Sequence, residues 1–540
     1  MREVLVVGAG PVGLTMASEL ARHGVRCRII DRLPQPSPYC RAIGVTPRTL
    51  EVWEDMGIVR EMIDAGLWLD GLRSVVHPHP ANDIGAAFPE LPYGELGLPQ
   101  YETERVLAAH LARFGVAVER GVTLAGLTQD AADVCVELAR GNGESERARF
   151  RYVVGCDGAH SAVRRALGIA FPGEAFPMSF MLGDVHIGWD LPRGMAFRAL
   201  RLVENGAPDM FVAIPLPETG RYRVSMLADT EPGPTGGTDH GIQSETEGPA
   251  LADLQAVADR LVPDRPRLSD LRWSSFFRIS MRLAEHYRQG RVLIAGDAAH
   301  IHPPTGGQGM NTGIQDAYNL AWKLALVLDG AAPESLLDSY EAERRPVGAE
   351  LVARTRAASE SYGREQGATP DRLADTQIRI SYRGTSWVRD DAPSLEAAVP
   401  AAGDRAPDAG GLARHGVGFP LRLFEMLRGT EHVLVAHFPG ADAALQVAEL
   451  AGLAQDVRSR LRIVAVTSAL VPDQPGLTLL HDRQGAFARA YGGTDASFLV
   501  RPDGYIGWRG QSPRDHGLRE HLDRMFPRAA ADRLASSARR

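Results

Sequence analysis

Lysine is almost missing from this chain. Lys and Arg together number 59, yet Lys323 is the single lysine, so nearly all positive charge is arginine. With 57 Gly and 36 Pro, this bias has the character of a GC-rich, bacterial genome. Its physical consequence is that any bound anion is expected to meet arginine. Cysteine is scarce too: there are four, Cys27, Cys40, Cys135 and Cys156, with no CxxC pair and none after Cys156. That disfavours a disulfide scaffold and a cysteine-based zinc site, and no metal is expected. No apolar run reaches the length of a membrane span. The N-terminus lacks the charged start, apolar stretch and small-residue cleavage site of a signal peptide. A reducing cytoplasm is the expected location. A basic excess is also absent, since the formal net charge is -8. Nucleic acid and membrane surfaces are therefore not expected partners.

What is present describes a soluble globular protein, 44% hydrophobic and 23% charged. A length of 540 residues exceeds one comfortable core and predicts two to four domains. Val4 to Val7 reads as a strand, Pro11 to His23 as a helix and Arg26 to Ile30 as a second strand ending at Asp31. Residues 100 to 170 mix helix and strand. Residues 171 to 285 alternate short apolar and polar runs, which predicts a mainly antiparallel β region. The βα pattern returns at Arg291 to Ile294, followed by helices near 310–328 and 334–365. Residues 386 to 409, rich in Pro, Gly, Asp and Ala, read as a connector. Residues 410 to 540 read as a further α/β domain. No internal repeat is evident.

Three motifs carry chemistry. Gly8-Ala9-Gly10-Pro11-Val12-Gly13 is GxGxxG between strand and helix. Gly8 permits the tight turn, Gly10 leaves room for a pyrophosphate, and Gly13 allows close helix–strand packing. The helix N-terminus offers N–H groups and a positive dipole end to phosphate. Asp31, followed by Arg32, stands where a carboxylate can hold a ribose hydroxyl pair. This unit predicts dinucleotide binding but does not separate FAD from NAD. Asp157-Gly158-Ala159-His160-Ser161 follows a strand and leads to Arg164. On bare sequence Asp157 is either a nucleotide contact or a helix cap. Gly296-Asp297-Ala298-Ala299-His300 follows another strand. After it, Pro303 to Asn311 runs PPTGGQGMN into a helix carrying Asp316 and Asn319. His300 and His302 suggest packing on the cofactor side rather than metal. Trp322 and Met310 suit core or pocket wall.

With these three signatures in this order, the first 350 or so residues resemble the group A flavoprotein aromatic monooxygenases of the para-hydroxybenzoate hydroxylase type. The resemblance implies an α/β protein. Its Rossmann-like FAD-binding domain would cover 1–170 and 286–385, with a strand-rich substrate domain inserted at 171–285. It implies FAD bound tightly but not covalently: Gly8, Gly10, Pro11, Val12 and Gly13 at the pyrophosphate, and Asp31 and Arg32 at the adenosine ribose. The family usually has Glu where this chain has Asp31. Arg41 would lie near the ribose and pyrophosphate, Gln100 near the flavin chain and Asp297 at the ribityl or pyrophosphate region. Pro303 would pack beside the isoalloxazine. Gly306, Gly307, Gly309, Met310 and Asn311 would direct backbone N–H groups at the flavin N1–C2 carbonyl, where reduction places negative charge. Asp157 and Arg164 would also serve NADPH or NADH, although Arg164 can equally support its own motif.

The implied reaction is hydroxylation of a phenolic ring by C4a-hydroperoxyflavin, formed from O2 on flavin reduced by NAD(P)H. It needs no protein nucleophile but does need a dry pocket. Candidate pocket residues in the strand-rich region are Phe180, Phe197, Phe211, Ile214, Tyr222 and Arg223, and alternation must turn some of them into core. Arg221 and Arg223 are either carboxylate anchors or edge-strand charges. Residues 410–540 resemble the thioredoxin-like extension of phenol and polyketide hydroxylases, through Arg405-Ala406-Pro407-Asp408, His481-Asp482-Arg483 and the stretch Leu499 to Arg509. Without cysteine it has no thiol chemistry, and a structural or homodimer-supporting role is expected. The small aromatic substrate leans towards a polycyclic polyketide. Alternatives are a simple phenol or phenylpropanoid, a Baeyer–Villiger or epoxidising reaction, and a flavin-holding protein that shelters a ligand without turnover.

Overall fold

The computed structural model describes residues 3–36, 42–203, 209–228, 241–242, 248–302, 307–360, 373–392, 399–457 and 461–527. Val4–Val7 is buried at every position, as a central parallel strand covered on both faces must be. Cys27–Asp31 pairs with it in parallel on one side and Tyr152–Gly155 on the other. Val292–Ile294 lies beyond Tyr152–Gly155, and Val118–Arg120 beyond Cys27–Asp31. Antiparallel Arg288–Gln289 ends the six-stranded sheet. The register sets Val7 opposite Gly155, and Gly155 opposite Ile294. The three motif turns therefore emerge side by side at the carboxyl ends of adjacent strands, where open α/β sheets bind ligands. Helices Pro11–Arg22 and Gln308–Leu328 pack against each other here.

A nine-stranded sheet is built around the long antiparallel pair Gly173–Gly188 and Arg267–Leu283. Asp209–Pro215 and Arg221–Leu227 form the strands expected there, but the second is buried at six of its seven positions rather than alternating. Helix Leu251–Leu261 covers one face, with Leu254, Val257, Ala258 and Leu261 packed on Phe197, Phe211, Tyr222 and Val224. The sheet also takes in Gly71–His77, parallel to Met195–Arg201, and Asn82–Gly85. The expected assignment of 1–170 wholly to the FAD-binding domain is corrected accordingly, because these two strands come from that stretch.

In the C-terminal sheet, His432–Phe438 and Leu461–Thr467 are parallel, while Ala496–Val500 and Ile506–Gly510 form an antiparallel hairpin. Helices Ala443–Val457 and His516–Met525 complete the thioredoxin-like order. The expected connector is not a loose linker. Arg389–Asp390 pairs with Ile506–Gly510, and Val399, Ala402, Ala406 and Ala409 belong to this unit's core. Two-residue pairings and small side chains leave no period in the sequence, so composition alone suggested a connector. Trp53 and Trp322 share one core with Leu434, Trp508 and Phe526, which joins the C-terminal unit to the rest.

Candidate active site

Gly8 has φ +99°, and a Cβ there would stand 2.4 Å from the Cys156 carbonyl oxygen. A Cβ on Gly13 would stand 1.9 Å from the Gly8 oxygen. A Cβ on Gly10 would meet nothing within 4 Å. Two glycines thus close the turn, and the third leaves open space over the start of a helix that no side chain caps. Pro11 occupies the first helical turn, where its missing N–H costs nothing. Val12 reaches across, since a Cβ on Gly296 would lie 2.8 Å from its Cγ2. Asp31 Oδ2 accepts from the Ala9 N–H (2.7 Å) and Oδ1 from the Leu33 N–H (2.8 Å), so this carboxylate ties strand end to glycine turn. Arg32 beside it is exposed.

Both readings of Asp157 meet in its two oxygens. Oδ2 accepts from Ala162 N (2.6 Å) and Val163 N (3.2 Å), which is a helix cap. Oδ1 is buried without a hydrogen-bond partner, and burial raises the carboxyl pKa. Arg164 donates to Ala159 O and Ala298 O, both at 2.8 Å, with its guanidinium 3.8 Å from the centre of the Phe171 ring. It links the second motif to the third. Burial pulls it down to about 10, which leaves it cationic at neutral pH.

In the third motif Gly296 turns at φ +62° and Asp297 stands exposed. Gly307, at φ +65°, starts the Gln308–Leu328 helix. Asn311 donates to Gly44 O (2.9 Å) and Gly307 O (2.7 Å) and accepts from Thr46 N (3.1 Å). Its side chain therefore binds the helix start to the Gly44–Val45 strand and the residue after it. Gln100 accepts from Ala42 N (3.2 Å) and donates to Glu104 (2.8 Å), holding the residue next to Arg41. Met310 is core. Gly309 lies against His302, since a Cβ there would be 3.3 Å from Nε2. Arg41, Pro303 and Gly306 lie outside the described residues.

A buried network behind the motif escaped sequence reasoning. His300 Nε2 is 2.7 Å from Asp316 Oδ2, Arg344 Nε donates to Asp316 Oδ1 (2.7 Å), and Arg344 Nη1 to the Tyr382 hydroxyl (3.0 Å). Burial pushes the Asp316 pKa up, but Arg344 and His300 overrule it and hold it below the usual carboxylate range. The available signal was a charge set among Ile314, Ala317 and Leu320.

The nine-stranded sheet divides the candidate pocket residues. Contrary to expectation, Phe197, Phe211 and Tyr222 point to the covering helix and are core, not pocket wall. Phe180, Ile214 and Arg223 occupy the opposite face by register. Ile214 packs with Ile43, Tyr101 and Leu216, and a Cβ on Gly44, next to Ile43, would be 3.8 Å from Gly307 Cα. That face therefore meets the cradle formed by the three motifs.

An FAD-binding domain family matches residues 1–355, and an aromatic-ring hydroxylase C-terminal family matches residues 399–529. The chain belongs to the FAD-dependent aromatic-ring hydroxylases. A flavin-dependent monooxygenase of Mycobacteroides abscessus is 36% identical, over 97% of this chain and 99% of the relative. The 6-methylpretetramide 4-monooxygenase of Streptomyces rimosus is 33% identical, over 100% and 96%. The pentachlorophenol 4-monooxygenase of Sphingobium chlorophenolicum is 34% identical, over 98% and 97%. A ternary complex of aklavinone-11 hydroxylase with FAD and aklavinone superposes with TM-score 0.76 at 28% identity, covering 97% of this chain and 99% of that one.

The residues of this hydroxylase fit its cofactor. Gly10 leaves the open cradle, the first helix is uncapped, and the orphaned Asp157 Oδ1 awaits a donor. FAD, when bound, relays electrons from NAD(P)H and activates O2. The chain supplies N–H groups at two helix starts and the supports behind them. Arg164→Leu is expected to leave two carbonyls without their donor and weaken FAD binding about tenfold, read by flavin fluorescence titration. No helix among the described residues is long and apolar enough to cross a membrane.

Proposed function

We propose that this hydroxylase places one oxygen atom on a fused polycyclic phenol of the aromatic polyketide type. The observation that carries the reading is the breadth of the sheet face opposite the covering helix. Ile214, Arg223, Asp184 and Trp273 stand in register on four successive strands. Three interstrand spacings make that row about 14 Å wide, suited to several fused rings rather than one. The aklavinone complex and the 6-methylpretetramide relative point the same way. In this reading Gly8, Gly10 and Gly13 hold the pyrophosphate, Asp31 the adenosine ribose and Asp297 the ribityl side. The N–H groups from Gly307 to Asn311 serve the flavin carbonyl, and Arg164 steadies the turns. The scarcity of cysteine supports action in a reducing cytoplasm.

The test is NADPH and NADH oxidation by the FAD-loaded protein with alizarin, a fused hydroxyanthraquinone, against phenol. Alizarin is expected to stimulate oxidation about tenfold more than phenol, with a product heavier by one oxygen atom drawn from O2. Greater stimulation by phenol, or hydrogen peroxide as the sole product with fused phenols, would sink the polycyclic reading.

A further inference from the structure

Arg223 and Asp184 are paired at 2.6 Å, with side chains 5% and 8% exposed. Such a pair pays desolvation on both charges, and stability alone seldom explains keeping one. Asp184 faces away from helix Leu251–Leu261: a Cβ on the adjacent Gly183 would run into Leu254 of that helix at 2.6 Å. The Arg223 guanidinium lies 4.7 Å from the centre of the Trp273 ring. Across the sheet Arg223 is the direct neighbour of Ile214, which packs with Ile43 beside the cradle. Charge, aromatic platform and cofactor cradle thus share one face.

A cleft of about 520 Å³ is lined by Tyr101, Leu216, Arg221 and Arg272, among others. Leu216, just past the end of strand Asp209–Pro215, packs with Ile214, and Arg221 lies two before Arg223 on the next strand. With a period of two, Arg221 and Arg223 share a face. The cleft therefore opens beside the face that carries Arg223.

We propose that Arg223, oriented by Asp184 and stacked on Trp273, is the recognition element that reads the oxygen substituents of the aromatic ligand and so fixes which ring meets the cofactor. The guanidinium is a planar fork of N–H donors, matched to two oxygens set side by side, such as a hydroxyl next to a ring carbonyl. Asp184 accepts from Nε and fixes the plane of the fork. Trp273 supplies area that any fused ring can use. This deepens the fused-phenol reading and rests on it.

The test is equilibrium binding of alizarin and of unsubstituted anthraquinone to the FAD-loaded protein. The wild type is expected to prefer alizarin about 30-fold. Arg223→Leu is expected to abolish that preference by weakening alizarin alone, and Trp273→Leu to weaken both ligands alike. Arg223→Leu strands the Asp184 carboxylate, so the double variant Arg223→Leu/Asp184→Leu, which buries no lone charge, is measured beside it and should show the same lost preference. A wild type that prefers alizarin, with a double variant that keeps the preference, overturns this assignment alone. A wild type that binds neither ligand overturns it together with the fused-phenol reading.

Discussion

Gly13→Ala is expected to give a protein that purifies colourless. Alanine in a helix interior normally stabilises by about 1 kcal/mol over glycine. Here the added carbon would sit 1.9 Å from the Gly8 carbonyl oxygen and 3.3 Å from Cys156 Cβ. The oxygen is backbone, so the turn itself has to open. Overpacking of this kind costs about 1–3 kcal/mol or more, and about 3 kcal/mol is a factor of more than 100 in a binding constant. With the clash on backbone, the cost is expected at the upper end of that range, and FAD affinity should fall by about that order. Gly10→Ala separates the two roles of the turn. Its Cβ meets nothing within 4 Å, and its φ of -76° suits alanine. The apoprotein should unfold at nearly the wild-type urea concentration while FAD affinity is lost, because the methyl occupies the space left for the pyrophosphate. Unchanged FAD titration of Gly10→Ala would remove the pyrophosphate from that space.

The reach of sequence reasoning followed the range of the contacts. The three motif turns were legible because each is local, a strand and a glycine turn, two of them opening a helix. The parallel pairing of Val4–Val7 with Tyr152–Gly155 and Val292–Ile294 then brings them together. The network of His300, Asp316, Arg344 and Tyr382 was not legible, because its members lie on separate elements and only packing unites them. Alternation in the β region revealed two faces but not which was covered. That depends on helix Leu251–Leu261, whose short apolar stripe lies within a region of strand-like runs. Phe197, Phe211 and Tyr222 consequently fell to the core and Arg223 to the other face. The adoption of Gly71–His77 by a sheet formed mostly of residues 100 or more positions later left no local trace.

Glu343 should be the residue whose loss most loosens the C-terminal unit. Its carboxylate accepts from Arg501 at 2.7 and 2.8 Å, from the sole lysine, Lys323, at 2.8 Å and from Asn319 at 2.7 Å. Arg501 also binds Asp503, which accepts from Trp322 Nε1 (3.1 Å). Arg501 and Asp503 belong to the C-terminal hairpin, Glu343 to helix Asp338–Glu360, and Lys323 and Trp322 to the helix that starts at the flavin cradle. Burial favours the neutral acid, but Arg501 and Lys323 overrule it and hold Glu343 at about 2, against an ordinary 4.5. Since the folded value lies below the unfolded one, the contribution is complete above about pH 4.5 and is lost as pH falls towards 2. At 1.36 kcal/mol per pKa unit it amounts to ~3 kcal/mol. Glu343→Ala, which leaves two buried cations short of a partner, should cost about 3–5 kcal/mol at pH 7. Urea unfolding followed by tryptophan fluorescence should show an earlier transition, led by Trp322 and Trp508. Glu343→Gln should flatten the wild-type decline between pH 4.5 and 2. A variant as stable as wild type at pH 7, with the same acid slope, would show that the C-terminal unit is held without this carboxylate.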